Sequence, residues 1–270
     1  MSTAIANVKT VSYLGSPLAV ESWEIGSADP PMLVLHGGNG FDPEARFVQD
    51  LARSRRVIGV SHPGWGESQR PEWLDTVSDL AHFYLELLES ENLDDVTVLG
   101  HSTGGWIAAE MAVWRPQRIG RLVLVDPVGI RVGGPADRDI VDIFAISREE
   151  RIKLGFHDPS LAGPPLAEMD DEKLRRQLQA DEMMALYYWE PYMCNPKLRR
   201  RLAAIQTPCQ LIWGRHDGVA PLDYGRAYAE SLGHARLHVV EEAAHCPQIE
   251  RPEEFCRIVE AFIAETSAPR

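Results

Sequence analysis

Short apolar runs alternate along the chain with longer amphipathic stretches. The runs are rich in Val, Ile and Leu, which is typical of strands that are buried on both faces of a sheet. The stretch Thr76–Glu89 brings Leu80, Phe83 and Leu87 to one face at helical spacing, so it predicts an amphipathic helix. The runs that predict strands are Met32–Leu35, Arg56–Val60, Val96–Leu99, Leu122–Asp126, Cys209–Trp213 and Arg236–Val240.

The first part of the chain has a different pattern. From Val8 to Trp23 the apolar residues alternate with polar ones around Gly15-Ser16-Pro17, which predicts a hairpin at the edge of a sheet. With the six runs, the hairpin gives eight strands. Because helical stretches separate the runs, we expect an α/β fold whose eight-stranded, mostly parallel sheet carries helices on both faces.

About eighty residues separate the fourth of these runs from the fifth. This distance is too long for a connecting loop in a compact domain, so the segment must have structure of its own. After a break that is rich in Gly and Pro, the stretch Glu168–Tyr188 predicts one or two helices. We expect a core domain formed by residues 1–127 and 205–270, interrupted by a helical insertion at residues 128–204.

Composition narrows the range of partners. The 270 residues carry a formal net charge of -13, which disfavours nucleic acid and anionic membrane surfaces as partners. No apolar window is long enough to span a bilayer, so we expect a cytoplasmic protein that acts on a small molecule. No cofactor or metal is expected. The four cysteines lie far apart, so they predict free thiols rather than a zinc site or disulfides. These cysteines are Cys194, Cys209, Cys246 and Cys256.

The run Val96–Leu99 leads directly into Gly100-His101-Ser102-Thr103-Gly104, after which a helix of small residues begins. A strand, a sharp turn and a helix therefore follow one another without a linker. At such a turn a serine occupies strained backbone, and glycines two residues to either side let the strand and the helix approach each other. The hydroxyl of Ser102 must then point outward, as a nucleophile requires.

Gly100-x-Ser102-x-Gly104 is a nucleophile elbow, and in these residues the chain resembles the α/β-hydrolase superfamily, in which the serine attacks a carbonyl carbon. The resemblance covers nearly the whole chain outside the insertion. It implies the order serine, acid, histidine along the chain. Ser102, Asp217 and His245 follow that order, each at the carboxyl end of a predicted strand, and are the predicted catalytic triad.

Each of the last two triad members has a competitor. Asp126 ends the preceding strand of the sheet, and some relatives take the acid from that position. His101 and His216 compete with His245, but both flank motif residues, and in relatives those flanking positions serve packing or shape a loop.

The resemblance also implies an oxyanion hole. His36-Gly37-Gly38-Asn39-Gly40 follows a buried strand, and a glycine-rich loop there lets backbone N–H groups turn toward a ligand. The superfamily takes one donor from this loop and one from the residue after the serine, which correspond to the N–H groups of Gly38 and Thr103. His62 stands where the superfamily commonly has aspartate, a departure that affects no predicted catalytic residue.

In this superfamily a helical cap is inserted over the active site, and residues 128–204 occupy that place. The insertion is rich in aromatic residues and methionine, which suggests an apolar or aromatic substrate. For any one of these side chains, packing of the cap against the core is the simpler interpretation. The residues predicted to line the substrate pocket are Asn39, His101, Met183, Tyr187, Trp189 and Val219.

The triad defines acyl chemistry without identifying the acyl group. Carbon–carbon bond hydrolases of aromatic-ring breakdown resemble this chain in size and cap. They often have Pro-Gly in the first loop and tryptophan after the histidine, where this chain has Asn39-Gly40 and Cys246. We therefore expect a serine hydrolase of a small carboxylic ester or lactone, with a carbon–carbon bond hydrolase of a vinylogous diketone, a meta-cleavage product, as the alternative.

Two other classes of protein remain open on the same fold. A lyase or cofactor-free oxygenase would use His245 mainly as a base, so it would keep substantial activity after Ser102→Ala. A ligand receptor would cleave its ligand only once and would then keep part of the ligand covalently attached. A homodimer is also open, because the sequence does not define the oligomeric state.

Overall fold

Eight strands form one sheet in the computed structural model, which describes residues 7–114, 116–134 and 137–267. The strands are β1 Asn7–Tyr13, β2 Ser16–Ile25, β3 Met32–Leu35, β4 Val57–Val60, β5 Val96–His101, β6 Ile119–Val125, β7 Cys209–Gly214 and β8 Arg236–Val240. The α-helices are α1 Arg46–Leu51, α2 Val77–Ser90, α3 Thr103–Trp114, α4 Arg148–Gly155, α5 Asp171–Tyr188, α6 Leu198–Arg201, α7 Leu222–Leu232, α8 Pro247–Glu250 and α9 Pro252–Ser267. Short 3-10 helices lie at Pro116–Arg118, Pro159–Leu161, Leu166–Glu168 and Leu202–Ala204.

The strands lie in the order β1-β2-β4-β3-β5-β6-β7-β8. β1 and β2 form an antiparallel hairpin at one edge, and β2 also pairs antiparallel with β4. The remaining neighbours are parallel, which places the carboxyl ends of β3 to β8 at one edge of the sheet. The predicted eight-stranded, mostly parallel sheet is therefore confirmed.

The central strands bury alternate side chains in two separate cores. Leu33 and Leu35 of β3 pack in the core that also contains the buried faces of α2, α3 and α7. Met32 and Val34 of the same strand pack in the other core, with side chains of α1 and α9. Successive residues of a strand point to opposite faces, so a continuous apolar run is what a sheet covered on both sides requires.

The segment between β6 and β7, residues 126–208, contains α4, α5 and α6 and is called the β6–β7 segment below. Its helices α4, α5 and α6 all contact the rest of the chain. The N–H groups of Gly218 and His245 donate to the carbonyls of Leu154 and Gly155, at 2.9 and 3.0 Å. The segment has helices of its own, as its length requires, while the division into a core and an insertion at residues 128–204 stays a prediction.

A second connection joins α5 to the edge of the sheet. The guanidinium of Arg176 binds the buried carboxylate of Glu21 on β2, with Nη2 and Oε1 3.0 Å apart. The hydroxyl of Ser61 also donates to Glu21, at 2.8 Å. Because a buried carboxylate needs such partners, this ion pair fixes the start of α5 against the sheet.

The four cysteines are free thiols, as their spacing predicts. Burial raises the pKa of each thiol, so the thiols are protonated at neutral pH. Across the described ranges, no helix combines the length and the apolar character needed to cross a membrane.

We predict that Gly104→Ala destabilises the protein by about 3 kcal/mol, because the first turn of α3 packs directly on the backbone of β3. A Cβ at position 104 would lie 2.2 Å from the carbonyl oxygen of Leu35. Gly155→Ala is the matched control, since a Cβ there would meet nothing within 4 Å. Urea unfolding measures both variants, and equal midpoints would contradict the close packing.

Candidate active site

Ser102 occupies the turn between β5 and α3 with a positive φ of 54°. Its N–H donates to the carbonyl of Val125 on β6 at 2.9 Å, and its own carbonyl accepts from the N–H of Trp106 at 3.2 Å. A Cβ at Gly100 would lie 2.4 Å from the carbonyl oxygen of Gly104. Left-handed backbone is unfavourable for serine, so the surrounding bonds and the two glycines hold the strained turn that the motif predicts.

Three side chains from three different loops meet at the carboxyl ends of the parallel strands. The Oγ atom of Ser102 lies 2.9 Å from Nε2 of His245, and Nδ1 of His245 lies 2.8 Å from Oδ2 of Asp217. The other carboxylate oxygen of Asp217 accepts the N–H groups of Val219 and Ala220, at 2.8 and 2.9 Å. With Nδ1 donating to Asp217, Nε2 is free to accept the serine proton, which is the arrangement that activates an alcohol as a nucleophile.

The competing residues make other contacts. Oδ1 of Asp126 accepts the N–H of Gly214 at 3.0 Å, and it is Asp217 that binds the ring of His245. His216 stacks on His157 with ring centroids 4.6 Å apart. His101 donates through Nε2 to the carbonyl of His245 at 2.7 Å, and burial lowers its pKa to about 3, so its ring is neutral.

Thr103 and Gly38 are the two predicted oxyanion donors. Thr103 is the first residue of α3, and N–H groups in the first turn of a helix have no acceptor within that helix. The positive end of the helix dipole favours negative charge at the same place. Gly38 lines the same cavity as Ser102, and a Cβ there would lie 2.5 Å from Sδ of Met184. The assignment of both residues to an oxyanion hole stays a prediction.

Two buried, stacked histidines hold the loop that carries Gly38. The ring centroids of His36 and His62 are 3.6 Å apart. The N–H of His62 donates to Nε2 of His36, and Nε2 of His62 donates to the carbonyl of His36, both at 3.0 Å. Nδ1 of His62 accepts the hydroxyl of Tyr84 at 2.5 Å. These bonds require neutral rings, and burial lowers the pKa of His36 to about 4 and that of His62 well below its usual value.

A cavity of about 300 Å³ lies above Ser102 and His245. Three of the predicted pocket residues, Asn39, His101 and Val219, line it. Apart from the polar groups near the nucleophile and at α4 and α5, the lining is largely apolar. The apolar side chains include Val128, Ile140, Ile143, Ile152, Phe156 and Met184.

The prediction that Met183, Tyr187 and Trp189 line this pocket is wrong. Met183 is buried away from the cavity, where a Cβ at Gly64 would lie 2.3 Å from its Sδ atom. The hydroxyl of Tyr187 donates to the carbonyls of Pro63 and Leu74, at 3.0 and 3.1 Å. Trp189 is 56% exposed. The rotation of α5 about its axis turns Met184 to the cavity instead, and the aromatic side chains pack the segment on the rest of the chain.

Sequence reasoning missed the charged part of the cavity. Arg148 and Arg151 of α4 line it, together with Gln177 and Asp181 of α5. Nη1 of Arg151 lies 3.3 Å from Oδ1 of Asp181, and Nε of Arg151 is buried without a partner among the described residues. The spacing of the two arginines, three residues apart on one helix, puts them on the same face and was the available signal. Whether the side chains of Arg148 and Arg151 face Ser102 depends on how α4 packs, which the sequence does not show.

This chain is similar to known proteins in sequence and in fold. A model of the Alpha/beta hydrolase family matches residues 32–258. The chain is 30% identical to a 2-hydroxy-6-oxononadienedioate/2-hydroxy-6-oxononatrienedioate hydrolase from Paraburkholderia phymatum, over 97% of this chain and 98% of that protein. It is also 30% identical to a 2-hydroxymuconate semialdehyde hydrolase from a Pseudomonas species, over 88% of each. The solved structure of a serine hydrolase from the polyaromatic hydrocarbon-degrading bacterium Cycloclasticus zankles has a similar fold, with a TM-score of 0.80, 19% identity, and coverage of 98% of this chain and 100% of that one.

We predict that the stability of the protein falls as the pH decreases from about 6.5 toward 4, in part because His62 binds a proton only when the chain unfolds. The unfolded state then binds more protons than the folded state, which costs up to about 1.4 kcal/mol per pH unit for each such histidine. His62→Gln keeps an N–H donor for the carbonyl of His36 but cannot titrate. Between pH 7 and pH 5 this variant should lose about 2 kcal/mol less than the native protein in urea unfolding. An equal loss in both proteins would mean that His62 is already protonated in the folded state.

Proposed function

The chain belongs to the alpha/beta hydrolase family, and on that basis we propose that it hydrolyses a carbon–carbon bond in a small vinylogous diketone that carries a carboxylate. The hydrogen-bonded series Ser102, His245 and Asp217 is the observation that carries the serine-dependent chemistry. Relatives that are named as hydrolases of dienedioate and semialdehyde compounds favour this reaction over the ester or lactone expected from the loop motifs.

The reaction begins when Oγ of Ser102 attacks the reacting carbonyl carbon, a ketone or the aldehyde of a semialdehyde, while Nε2 of His245 takes the hydroxyl proton. Asp217 accepts the Nδ1–H of His245 and stabilises the imidazolium that forms. The N–H groups of Gly38 and Thr103 bind the oxyanion of the tetrahedral intermediate. The site thus supplies a nucleophile, a base and two oxyanion donors from loops fixed by the sheet.

The substrate reacts as its keto tautomer, in which the carbon beside the reacting carbonyl is saturated, and collapse of the intermediate breaks the bond between these two carbons. Its electron pair delocalises through the conjugated chain onto the oxygen of the second carbonyl, and His245 returns the proton to the leaving group. A water molecule that His245 deprotonates then hydrolyses the acyl group from Ser102. The distal carbonyl is essential to this reaction, because an unstabilised carbanion is a poor leaving group.

The charged groups of α4 support a substrate with an anionic end. Arg148 and Arg151 line the same cavity as Ser102, and guanidinium groups bind carboxylates through paired N–H donors. Asp181 contacts only Nη1 of Arg151, at 3.3 Å, and leaves Nε without a partner in the described part of the chain. We therefore place the carboxylate of the substrate at Arg151 and its reacting carbonyl at Ser102.

We further propose that residues 128–204 form a cap over this site. Ile152, Phe156, Met169 and Met184 belong to this segment and line the cavity that Ser102 borders. A largely apolar enclosure strengthens the electrostatic contacts inside it and limits the access of water to the intermediate. A cap of this kind suits an apolar substrate, and it protects the acyl group on Ser102 from uncontrolled access of water.

A small carboxylic ester or lactone is the second candidate substrate. Asn39-Gly40 and Cys246 support it, because carbon–carbon bond hydrolases of this type often have Pro-Gly and tryptophan at these positions. Ester cleavage needs the same triad and oxyanion donors but no electron sink and no carboxylate. The two candidates therefore differ in how they depend on Arg151.

We predict that Ser102→Ala lowers kcat for 2-hydroxymuconate semialdehyde by at least about a thousandfold, because the variant lacks the attacking oxygen. The assay follows the loss of the absorbance of the conjugated substrate, and a panel of aryl esters and lactones runs beside it. Ser12→Ala, at an exposed position of β1, is the control. Turnover that survives in Ser102→Ala would favour a lyase or an oxygenase, and a single turnover of the native protein with lasting attachment would favour a receptor.

We predict that Arg151→Met raises KM for the same semialdehyde substrate about tenfold or more, because it removes a charge-assisted contact to the carboxylate. The KM for the neutral ester 4-nitrophenyl acetate should change little. Arg226→Met is the control, since Arg226 is exposed on α7 and pairs with Asp223. Equal effects on the charged and the neutral substrate would contradict the placement of the carboxylate at Arg151.

A further inference from the structure

Asp126 is a second carboxyl group beside the triad for which the proposed mechanism has no role. It directly follows β6, the strand between β5, which leads to Ser102, and β7, which leads to Asp217. Asp126 is fully buried and has a positive φ of 42°. Its N–H donates to the carbonyl of Ile212 at 3.0 Å, so its backbone is fixed by the neighbouring strand.

The carboxyl of Asp126 lies against two members of the triad. One oxygen of Asp126, one oxygen of Asp217 and one ring nitrogen of His245 all lie within 4.8 Å of one another. Buried carboxylates this close cannot both be ionised without a cation between them, because their repulsion is weakly screened. The 2.8 Å hydrogen bond between His245 and Asp217 already accounts for two members of this cluster, which makes a metal ion unnecessary to explain it.

The hydrogen bonds decide which carboxyl carries the charge. Asp217 accepts three donors, namely the N–H groups of Val219 and Ala220 and Nδ1 of His245. Asp126 accepts one, the N–H of Gly214 on Oδ1, while its buried Oδ2 has no donor among the described residues. Donors stabilise a carboxylate, so Asp217 is the anion and Oδ2 of Asp126 is the atom that needs a proton.

The electrostatic surroundings point the same way. Burial, followed by the negative charge of Asp217, raises the pKa of Asp126 well above its usual value. The other titratable groups that face it are His245, Cys246 and Glu250, from the loop after β8 and from α8. Burial also raises the pKa of Cys246, so the thiol stays neutral beside the carboxyl pair.

We propose that Asp126 is a positioning residue that remains protonated at neutral pH and donates its Oδ2 proton to the carboxylate of Asp217. This inference rests on the proposed serine chemistry. It adds Asp126 to the triad as a fourth side chain, which influences His245 through Asp217. The donated hydrogen bond holds Asp217 in place. It also moderates the negative charge that Asp217 presents to the imidazolium of His245.

An infrared difference spectrum between the native protein and Asp126→Asn at pH 7 tests the proton directly. Asparagine has nearly the same shape, tolerates left-handed backbone and keeps an N–H donor. We expect the substitution to remove the C=O band of a protonated carboxyl. Loss of carboxylate bands instead would overturn the proposal, whatever the activity of the variant.

The pH dependence of labelling by a fluorophosphonate tests the effect on His245. The labelling rate of Ser102 rises as His245 loses its proton, so its midpoint reports that ring without any knowledge of the substrate. Asp126→Asn should keep the native midpoint. Asp126→Leu removes the donor, so Asp217 holds the imidazolium more strongly and the midpoint should rise by about one pH unit, the size expected for one hydrogen bond to a charged group.

The two variants distinguish a protonated Asp126 from an ionised one and from one that serves only packing. If Asp126 were ionised, both substitutions would remove a negative charge and lower the midpoint. If its role were only structural, both would lower the melting temperature without moving the midpoint, and either result would overturn the proposal. Failure of Ser102 to label at any pH would overturn the proposed function instead, and the infrared measurement would still decide whether Asp126 carries the proton. The infrared measurement would also decide whether Asp126 is protonated if the Asp126→Leu variant did not fold.

Discussion

The contact between the first turn of α3 and the end of β3 is the constraint on which the site depends. A Cβ at Gly104 would lie 2.2 Å from the carbonyl oxygen of Leu35, so only glycine lets the helix start this close to the sheet. Between a strand and a helix this close together, Ser102 adopts left-handed backbone, and its side chain points away from the turn. Because the neighbouring strands are parallel, the loops that carry Gly38, Asp217 and His245 end at the same edge and need no long side chains to meet there.

The end of α4 connects the two halves of the site. The carbonyls of Leu154 and Gly155 accept the N–H groups of Gly218 and His245, each within or beside a triad loop. Glu250 strengthens this junction, since its two oxygens accept the N–H groups of Asp158 and Ala244, at 2.9 and 2.7 Å. The helix that carries the arginines of the cavity is therefore fixed to the loops that carry Asp217 and His245. This link sets the distance between the arginines of the cavity and Ser102.

Burial assigns different charge states to chemically similar groups around Ser102. His36 and His62 are buried and His101 is half-buried; all three rings are neutral and support loops through fixed hydrogen bonds. His245 differs because its ring lies between a hydroxyl and a carboxylate that is stabilised by backbone donors. The same low dielectric that keeps three histidines neutral strengthens the interaction of His245 with Asp217.

The sequence by itself determined the strands and the turn at Ser102, because apolar runs and glycines act locally, and the resemblance carried by the Gly100-x-Ser102-x-Gly104 motif implied Asp217 and His245. Only the tertiary structure decided which side chains face the cavity. Met183 and Met184 are adjacent in sequence, yet one residue of a helix is a rotation of about 100°, so the packing of α5 turns only the second toward Ser102. The direction of Arg151 toward the cavity and the contact of Asp126 with Asp217 and His245 likewise depend on the packing of distant segments.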